Sequence, residues 1–264
     1  MPEGPEVKIA STFYNEFFNG SKNIQFEILT EYYEAKYFSV FDAIGKHLAK
    51  DFRPSYTIGK NIFIPLQNKQ TFNFHLGMTG GWSEQHIKHC HFRVYSGTKE
   101  LFFRDVRKFG KMRILTLEEI DKKHTIEFDL LNDSYDFDRH FRHLKTKINS
   151  KKSVCSALMN QSFFPGVGNY IKSEALYAAK LHPEKKWGEL SDKKIKELVL
   201  NTQDIMQRSY STGGAELKDF KNPFIESTFS LHVYGKKTDS KGNKVESALT
   251  SDQRKSWFCP NIQK

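Results

Sequence analysis

Phe164-Pro165-Gly166-Val167-Gly168-Asn169-Tyr170-Ile171-Lys172-Ser173-Glu174 is the stretch that decides the fold. It follows Val154-Cys155-Ser156-Ala157-Leu158-Met159-Asn160-Gln161, which reads as a helix. Gly166 and Gly168 permit tight turns, because glycine reaches backbone conformations closed to other residues. Asn169 is then expected to cap a helix over 171–179 and to leave free N–H groups facing outward. Such a terminus is a ready phosphate site. Gly-x-Gly-Asn before a helix is also a good cap in any protein, so these residues alone establish helix, two turns, helix and a bias toward phosphate.

Working outward, 136–148, 154–160 and 192–210 read as further helices. Upstream, Pro5 opens a run in which Val7, Ala10, Phe13, Phe17 and Phe18 form a helical stripe that Gly20 stops, so 5–18 is expected to be a helix. From 24 to 115 the pattern changes to short runs rich in Phe, Tyr, Ile and Val, at 24–30, 37–44, 61–66, 70–76, 91–96, 100–103 and 112–115. Gly, Asn or Pro breaks them up, which is the pattern of antiparallel strands. The segment 118–138 is rich in acids and is expected to hold a hinge. Strand-like runs return in 229–258 around the polar turn Lys241-Gly242-Asn243, as in a hairpin. The expected class is α+β: an N-terminal helix plus antiparallel β-sandwich (1–117), a linker (118–135), a helical domain (136–228) and a β-hairpin (229–264).

The 264 residues carry 41 Lys+Arg against 31 Asp+Glu, a net charge of +10. Of that excess, +8 falls in 146–264 and +2 in 1–145. The pI near 9.3 points to a polyanion, and nucleic acid is the commonest. Aromatics reach 14% with 23 Phe, enough large apolar surface to argue against disorder. No stretch approaches the roughly 20 apolar residues of a membrane span. The first six residues have neither the basic nor the apolar region of a signal peptide. Cys90, Cys155 and Cys259 form no CxxC pair and read as reduced thiols of an intracellular protein. A zinc reading of His89, Cys90 and His91 is poor, since alternating residues on a strand face opposite ways. No cofactor or metal is expected.

Pro2 follows Met1, and a small second residue usually permits removal of the initiator. That would free a secondary amine, and an α-amino group with a pKa of about 7.7–8.0 is partly unprotonated near neutral pH. It could attack an aldehyde, with Glu3 beside it to move protons. On these two residues alone an exposed chain end is the ordinary reading.

The full string Pro2-Glu3-Gly4-Pro5-Glu6-Val7 resembles the N-terminal signature of the formamidopyrimidine-DNA glycosylase/endonuclease VIII family. Further motifs follow in the family's order. Ile58-Gly59-Lys60-Asn61-Ile62-Phe63 matches its β-domain lysine, and His75-Leu76-Gly77-Met78-Thr79-Gly80 its methionine turn. Lys88-His89-Cys90-His91 fits its K-H-x-H, and Asp105-Val106-Arg107-Lys108-Phe109-Gly110 its D-x-R-[RK]-F-G loop. The opening stretch resembles its helix–two-turn–helix motif. The resemblance spans nearly the whole chain and implies a bifunctional DNA glycosylase/AP lyase of base excision repair.

It assigns Pro2 as nucleophile, Glu3 as general acid/base at the sugar ring oxygen, and Lys60 as proton donor and phosphate contact. Met78, Arg107 and Phe109 would fill the hole left by a flipped nucleotide. His89 and Asn169 would contact phosphate. Family members commonly end in a zinc finger with two CxxC pairs, but here Cys259 stands alone and Ile262 takes its partner's place. Gln253-Arg254-Lys255-Ser256-Trp257-Phe258 still resembles the finger tip, with Arg254 as a phosphate fork. This resembles the zincless finger of the endonuclease VIII-like branch, as do Gly4 where Fpg proper favours Leu and Cys155 where bacterial Fpg has Lys. The loop 211–219, with Gly213-Gly214, aligns with the lesion-capping loop.

The implied substrates are oxidised pyrimidines such as thymine glycol, and hydantoins, in double-stranded and also single-stranded DNA, or abasic sites, bound by a monomer. Two alternatives are an Fpg-like enzyme preferring 8-oxoguanine and formamidopyrimidines, and a non-catalytic damaged-DNA-binding protein. The expected location is the nucleus or a viral or host site of DNA replication, with no membrane association.

Overall fold

The apolar stripe at the N-terminus folds as its spacing requires. Helix α1 spans Gly4–Phe18 and buries Val7, Ala10, Tyr14 and Phe18 at helical intervals. The computed structural model describes residues 1–49, 51–216, 222 and 224–264. They fall into two units. The first holds Met1–Pro2, Glu6–His124 and the described residues of 216–226; the second holds Glu3–Pro5, Thr125–Ala215 and Ser227–Lys264.

The first unit is built on two four-stranded antiparallel sheets. One has the order β1 (Gln25–Ile28), β6 (Cys90–Ser96), β7 (Lys99–Asp105), β5 (Gly80–Ser83). The other has the order β2 (Tyr56–Ile58), β3 (Asn61–Pro65), β4 (Gln70–His75), β8 (Lys111–Thr116). Aromatic side chains join their inner faces: Phe74 meets Phe103 edge-on at 6.0 Å, and Phe26 meets Phe72 edge-on at 5.7 Å. Trp82 adds a polar tie, its Nε1 donating to the Ala10 carbonyl at 3.0 Å. Edge-to-face pairing is the favoured geometry for such rings.

One expected strand is a helix. Residues 37–44 lie inside α2, Glu31–His47. Its buried residues are Tyr33, Tyr37, Phe41 and Ile44, spaced by four, four and three. That is a helical period, and the β preference of Tyr, Phe and Val masked it. The short strands β2 and β5 escaped the sequence reading, because two glycines open β5 and β2 is only three residues long. The expected linker is also ordered in part. Helix α3, Leu117–Lys123, starts with a full capping box between Thr116 and Glu119. Phe128, Leu130 and Leu131 beyond it are buried.

The second unit packs α4 (Phe137–Lys147), α5 (Val154–Leu158), α6 (Asn169–Ala178) and α7 (Asp192–Ser211). Asp136, Ser153 and Ser191 cap three of them through side-chain oxygens. The chain ends in a two-stranded hairpin of β9 (Glu246–Leu249) and β10 (Lys255–Phe258). Its turn is 250–254. The Lys241-Gly242-Asn243 turn closes a smaller loop through a bridge between Thr238 and Lys244. Residues 217–219 of the expected capping loop lie outside the described residues.

His140 on α4 is fully buried. Its Nε2 donates to the Phe163 carbonyl at 2.6 Å, and Tyr135 Oη donates to its Nδ1 at 3.1 Å. This arrangement satisfies the neutral ring, and burial lowers its pKa to about 4. The unfolded chain, with an ordinary His pKa near 6.5, therefore binds the proton first as pH falls. The stabilisation is present above pH about 6.5 and is lost as pH falls through about 4. We expect urea unfolding of the wild type to lose about 1–3 kcal/mol more between pH 7 and 4 than His140→Gln does. Equal losses would disprove the assignment.

Candidate functional site

The helix of the opening stretch forms and Gly166 makes its left-handed turn as predicted, but Gly168 is extended, with no need of glycine's backbone freedom, and the N-terminus of α6 is already occupied. Its cap residue is Gly168, which offers no side chain, and Asn169 is the first helical residue. The expectation that Asn169 caps the helix is corrected. The free N–H groups meet the Glu3 carboxylate: Tyr170 N donates to Oε1 at 2.9 Å and Ile171 N to Oε2 at 3.3 Å. A helix N-terminus favours an anion, and here the anion is the chain's own third residue. Glu3 is 3% exposed.

This seat explains the glycines. A Cβ on Gly168 would stand 2.3 Å from Glu3 Cδ, although the Gly168 φ of −132° is open to any residue. Gly166 has a φ of 86°, in the left-handed region, and its carbonyl accepts the Gly4 N–H at 2.8 Å. A Cβ on Gly4 would meet Met206 Cε at 2.9 Å and Gly166 Cα at 3.1 Å. Glycine at position 4 thus has a packing reason of its own, apart from any lesion preference.

In the first unit, Pro2 and Lys60 are both buried. Lys60 sits in the β2–β3 hairpin turn behind Gly59, whose φ is 59°. The carbon stem of a lysine can be buried while its ammonium reaches a polar neighbour. His75, at the end of β4, accepts the Gly77 N–H at 2.9 Å through Nδ1. Burial, with Lys60, Lys111 and Arg113 nearby, lowers its pKa to about 4. A neutral imidazole therefore lies near the Lys60 cation at neutral pH.

The Met78 turn and the Arg107–Phe109 turn are brought together by one buried carboxylate. Thr79 Oγ1 donates to Asp105 Oδ1 at 2.6 Å, and Gly110 N donates to Oδ2 at 2.7 Å. Arg107 N then donates to Thr79 Oγ1 at 3.0 Å. Gly77, with a φ of 68°, packs so closely that a Cβ would sit 2.6 Å from the Phe109 carbonyl carbon. Phe109 is 49% exposed, and the Arg107 guanidinium lies 4.8 Å from its ring centre. Met78 is half-buried. His89 is half-buried with a φ of 73°, and its carbonyl accepts the Asp105 N–H at 3.0 Å. His91 is a core residue: Tyr33 stacks on it at 4.3 Å, and its Nε2 donates to the Asp105 carbonyl at 2.9 Å.

In the second unit, Arg254 is exposed in the β9–β10 turn. Asn169 Nδ2 donates to the Lys255 carbonyl at 2.9 Å, which ties α6 to the hairpin, while its Oδ1 is buried without a partner. Cys259 is buried, and its Sγ lies 3.9 Å from Asp239 Oδ2. Asp239 accepts from Asn243 Nδ2 and Tyr177 Oη, each at 2.8 Å, and from the Lys241 and Asn243 N–H groups. These bonds, the Asn243 side chain first, hold its carboxyl down at about 2. Burial and the Asp239 charge push the Cys259 thiol up to about 11. Among the described residues no group of three or more His, Cys, Asp or Glu could hold a metal ion.

Asp105, Asp239 and Gly168 stood inside or beside motifs, yet their roles escaped the sequence reading. An acid directly before a basic turn was the available signal for Asp105. Lys172 pairs with Asp252, a partner distant in sequence, and no local pattern announces it.

A formamidopyrimidine-DNA glycosylase N-terminal domain model matches residues 1–112, and an H2TH domain model matches 128–221. The formamidopyrimidine-DNA glycosylase of Rickettsia felis is 27% identical over 100% of this chain and 98% of its own. That of Rickettsia africae is 31% identical over 69% of each. A point mutant of Lactococcus lactis FPG, solved with Fapy-dG-containing DNA, superposes with a TM-score of 0.83 at 23% identity, covering 100% of both chains. That likeness is one of fold.

Gly168→Ala tests the seat of Glu3. The variant should displace the carboxylate, cost on the order of 1–3 kcal/mol in unfolding free energy, and speed hydrogen exchange at the Tyr170 and Ile171 amides. Wild-type protection at both amides would rule out the steric argument.

Proposed function

The chain belongs to the formamidopyrimidine-DNA glycosylase family, DNA glycosylases of DNA repair, and on that premise we propose that it excises oxidised bases from double-stranded DNA through a Pro2 Schiff base. The observation that carries the reading is the Glu3 carboxylate held by two N–H groups of α6. A carboxylate fixed in this way is positioned before any substrate arrives, which is what general acid/base work requires.

Loss of Met1 frees the Pro2 amine, which attacks the sugar C1′ as the base departs with a proton from the Lys60 ammonium. The Glu3 carboxylate takes the proton that the attacking amine sheds and passes it to the ring oxygen, the ring opens, and an iminium forms at C1′. Removal of a C2′ proton expels the 3′ phosphate, and a second elimination expels the 5′ phosphate. Hydrolysis of the iminium restores the amine and leaves a one-nucleotide gap. Lys60 offsets phosphate charge and donates a proton, and the neutral His75 near it adds no competing cation. Met78, Arg107 and Phe109 fill the vacated stack, on turns that Asp105 fixes. Arg254, His89 and Asn169 contact phosphates, Asn169 through the Nδ2 hydrogen that Lys255 does not use.

We place the enzyme in the endonuclease VIII-like branch, acting as a monomer on thymine glycol and hydantoins, with activity on single-stranded DNA as well. The lone tail cysteine and the Asp239 hydrogen-bond node support a finger of the zincless kind. The second reading, preference for formamidopyrimidine and 8-oxoguanine, is favoured by the names of the Rickettsia relatives. Cleavage of a lesion panel separates the two.

Borohydride should trap a covalent adduct between the wild type and DNA containing an abasic site or dihydrouracil. Pro2→Gly should abolish the adduct, and Glu3→Gln should slow base excision at least about 100-fold. An adduct unchanged in Pro2→Gly, or Met1 retained by intact mass, would sink the mechanism. Prolonged chelation should leave the melting temperature unchanged within about 1 °C; a large drop would refute the zincless finger.

A further inference from the structure

A deeply buried ion pair uses two groups that the proposed chemistry does not. Lys172 Nζ stands 2.6 Å from Asp252 Oδ2, with side-chain exposures of 0% and 3%. Burying two charges is costly, and such pairs are often less stabilising than apolar residues of the same volume. The position of this pair suggests what it does. Lys172 is on the first turn of α6, just past the Tyr170 and Ile171 amides that hold Glu3. Asp252 is in the hairpin turn, two residues before Arg254.

The other carboxylate oxygen of Asp252 organises that turn. Oδ1 accepts from Thr250 Oγ1 at 2.6 Å and from Arg254 N at 3.3 Å. Thr250 N donates to the Arg254 carbonyl at 2.9 Å, and Thr250 Oγ1, whose one hydrogen goes to Asp252, lies 2.9 Å from the same oxygen. Gln253 bends the chain with a φ of 59°. Arg254 itself is exposed, so its backbone is fixed while its guanidinium is left for solvent or ligand.

We propose that Lys172 is a positioning residue, which through Asp252 fixes the Arg254 turn to the helix that seats Glu3. The proposal rests on the reading of Arg254 as a phosphate contact. Two binding contacts made by one rigid body are worth more than two made by independent segments, because the ordering cost is met before DNA arrives. The pair therefore acts on DNA affinity through Arg254 and leaves the chemistry at Glu3 unchanged once DNA is saturating.

The test compares Lys172→Met/Asp252→Asn, Arg254→Ala and the triple variant, on a duplex containing an abasic-site analogue. Arg254→Ala should weaken binding about tenfold and lower the magnitude of the salt slope by about one. The double variant should lose a similar factor with kcat nearly unchanged, and the triple should be no weaker than Arg254→Ala. Wild-type affinity in Arg254→Ala would remove the reading on which the proposal rests. A weakened Arg254→Ala beside a folded double variant of wild-type affinity, or losses that multiply in the triple, would overturn the positioning role alone. Hydrogen exchange on the wild type needs no variant to fold. The Gln253 and Arg254 amides should be protected to within about tenfold of the α6 amides, and exchange near the rate of an open loop would overturn the proposal.

Discussion

One carboxylate at the start of one helix organises the second unit. Glu3 accepts the buried helix-end amides of Tyr170 and Ile171, and that seat demands the absence of a side chain at Gly168. The same helix then buries Lys172, Ser173 and Glu174, three polar residues that a core helix would ordinarily exclude. Each has distant partners. Lys172 holds Asp252, Ser173 Oγ faces Trp257 N at 3.5 Å, and Glu174 accepts the N–H groups of His232, Val233 and Tyr234. A buried polar group is costly unless satisfied, so these contacts select one arrangement of the tail out of many that apolar packing would tolerate.

The first unit uses the same device at its rim. Asp105 is wholly buried, and its two oxygens take a donor from each of two turns. Hydrogen bonds to a charged acceptor are stronger than neutral ones. The exposed side chains of Arg107 and Phe109 thus rise from a backbone fixed beneath them. Aromatic contacts join the two sheets, while Asp105 supplies the geometry of the rim.

What the sequence made legible follows from how local each cause is. Glycine turns, the α1 stripe and the capped helices are set by neighbours in the chain, and their positions were read closely. Helix α2 was misread because its stripe is made of Tyr, Phe and Ile, residues whose strand preference outweighed a four-residue spacing. The Asn169 cap was misread because the true occupant of the helix end lies 167 residues away. The Lys172–Asp252 pair, 80 residues apart, is invisible for the same reason. Motif residues named the candidate site, but the groups holding them in place are tertiary and leave no local pattern.

Cys259 lends the tail a chemical durability of its own. Oxidants attack thiolates far faster than thiols. With its pKa pushed up to about 11 and its sulfur buried, Cys259 stays protonated. The loop beside it is held by Asp239 through oxygen and nitrogen donors, which peroxide leaves alone. A DNA-repair protein is needed most when oxidants are abundant, and the bonds that tie this loop to Asp239 use no thiolate that those oxidants would consume.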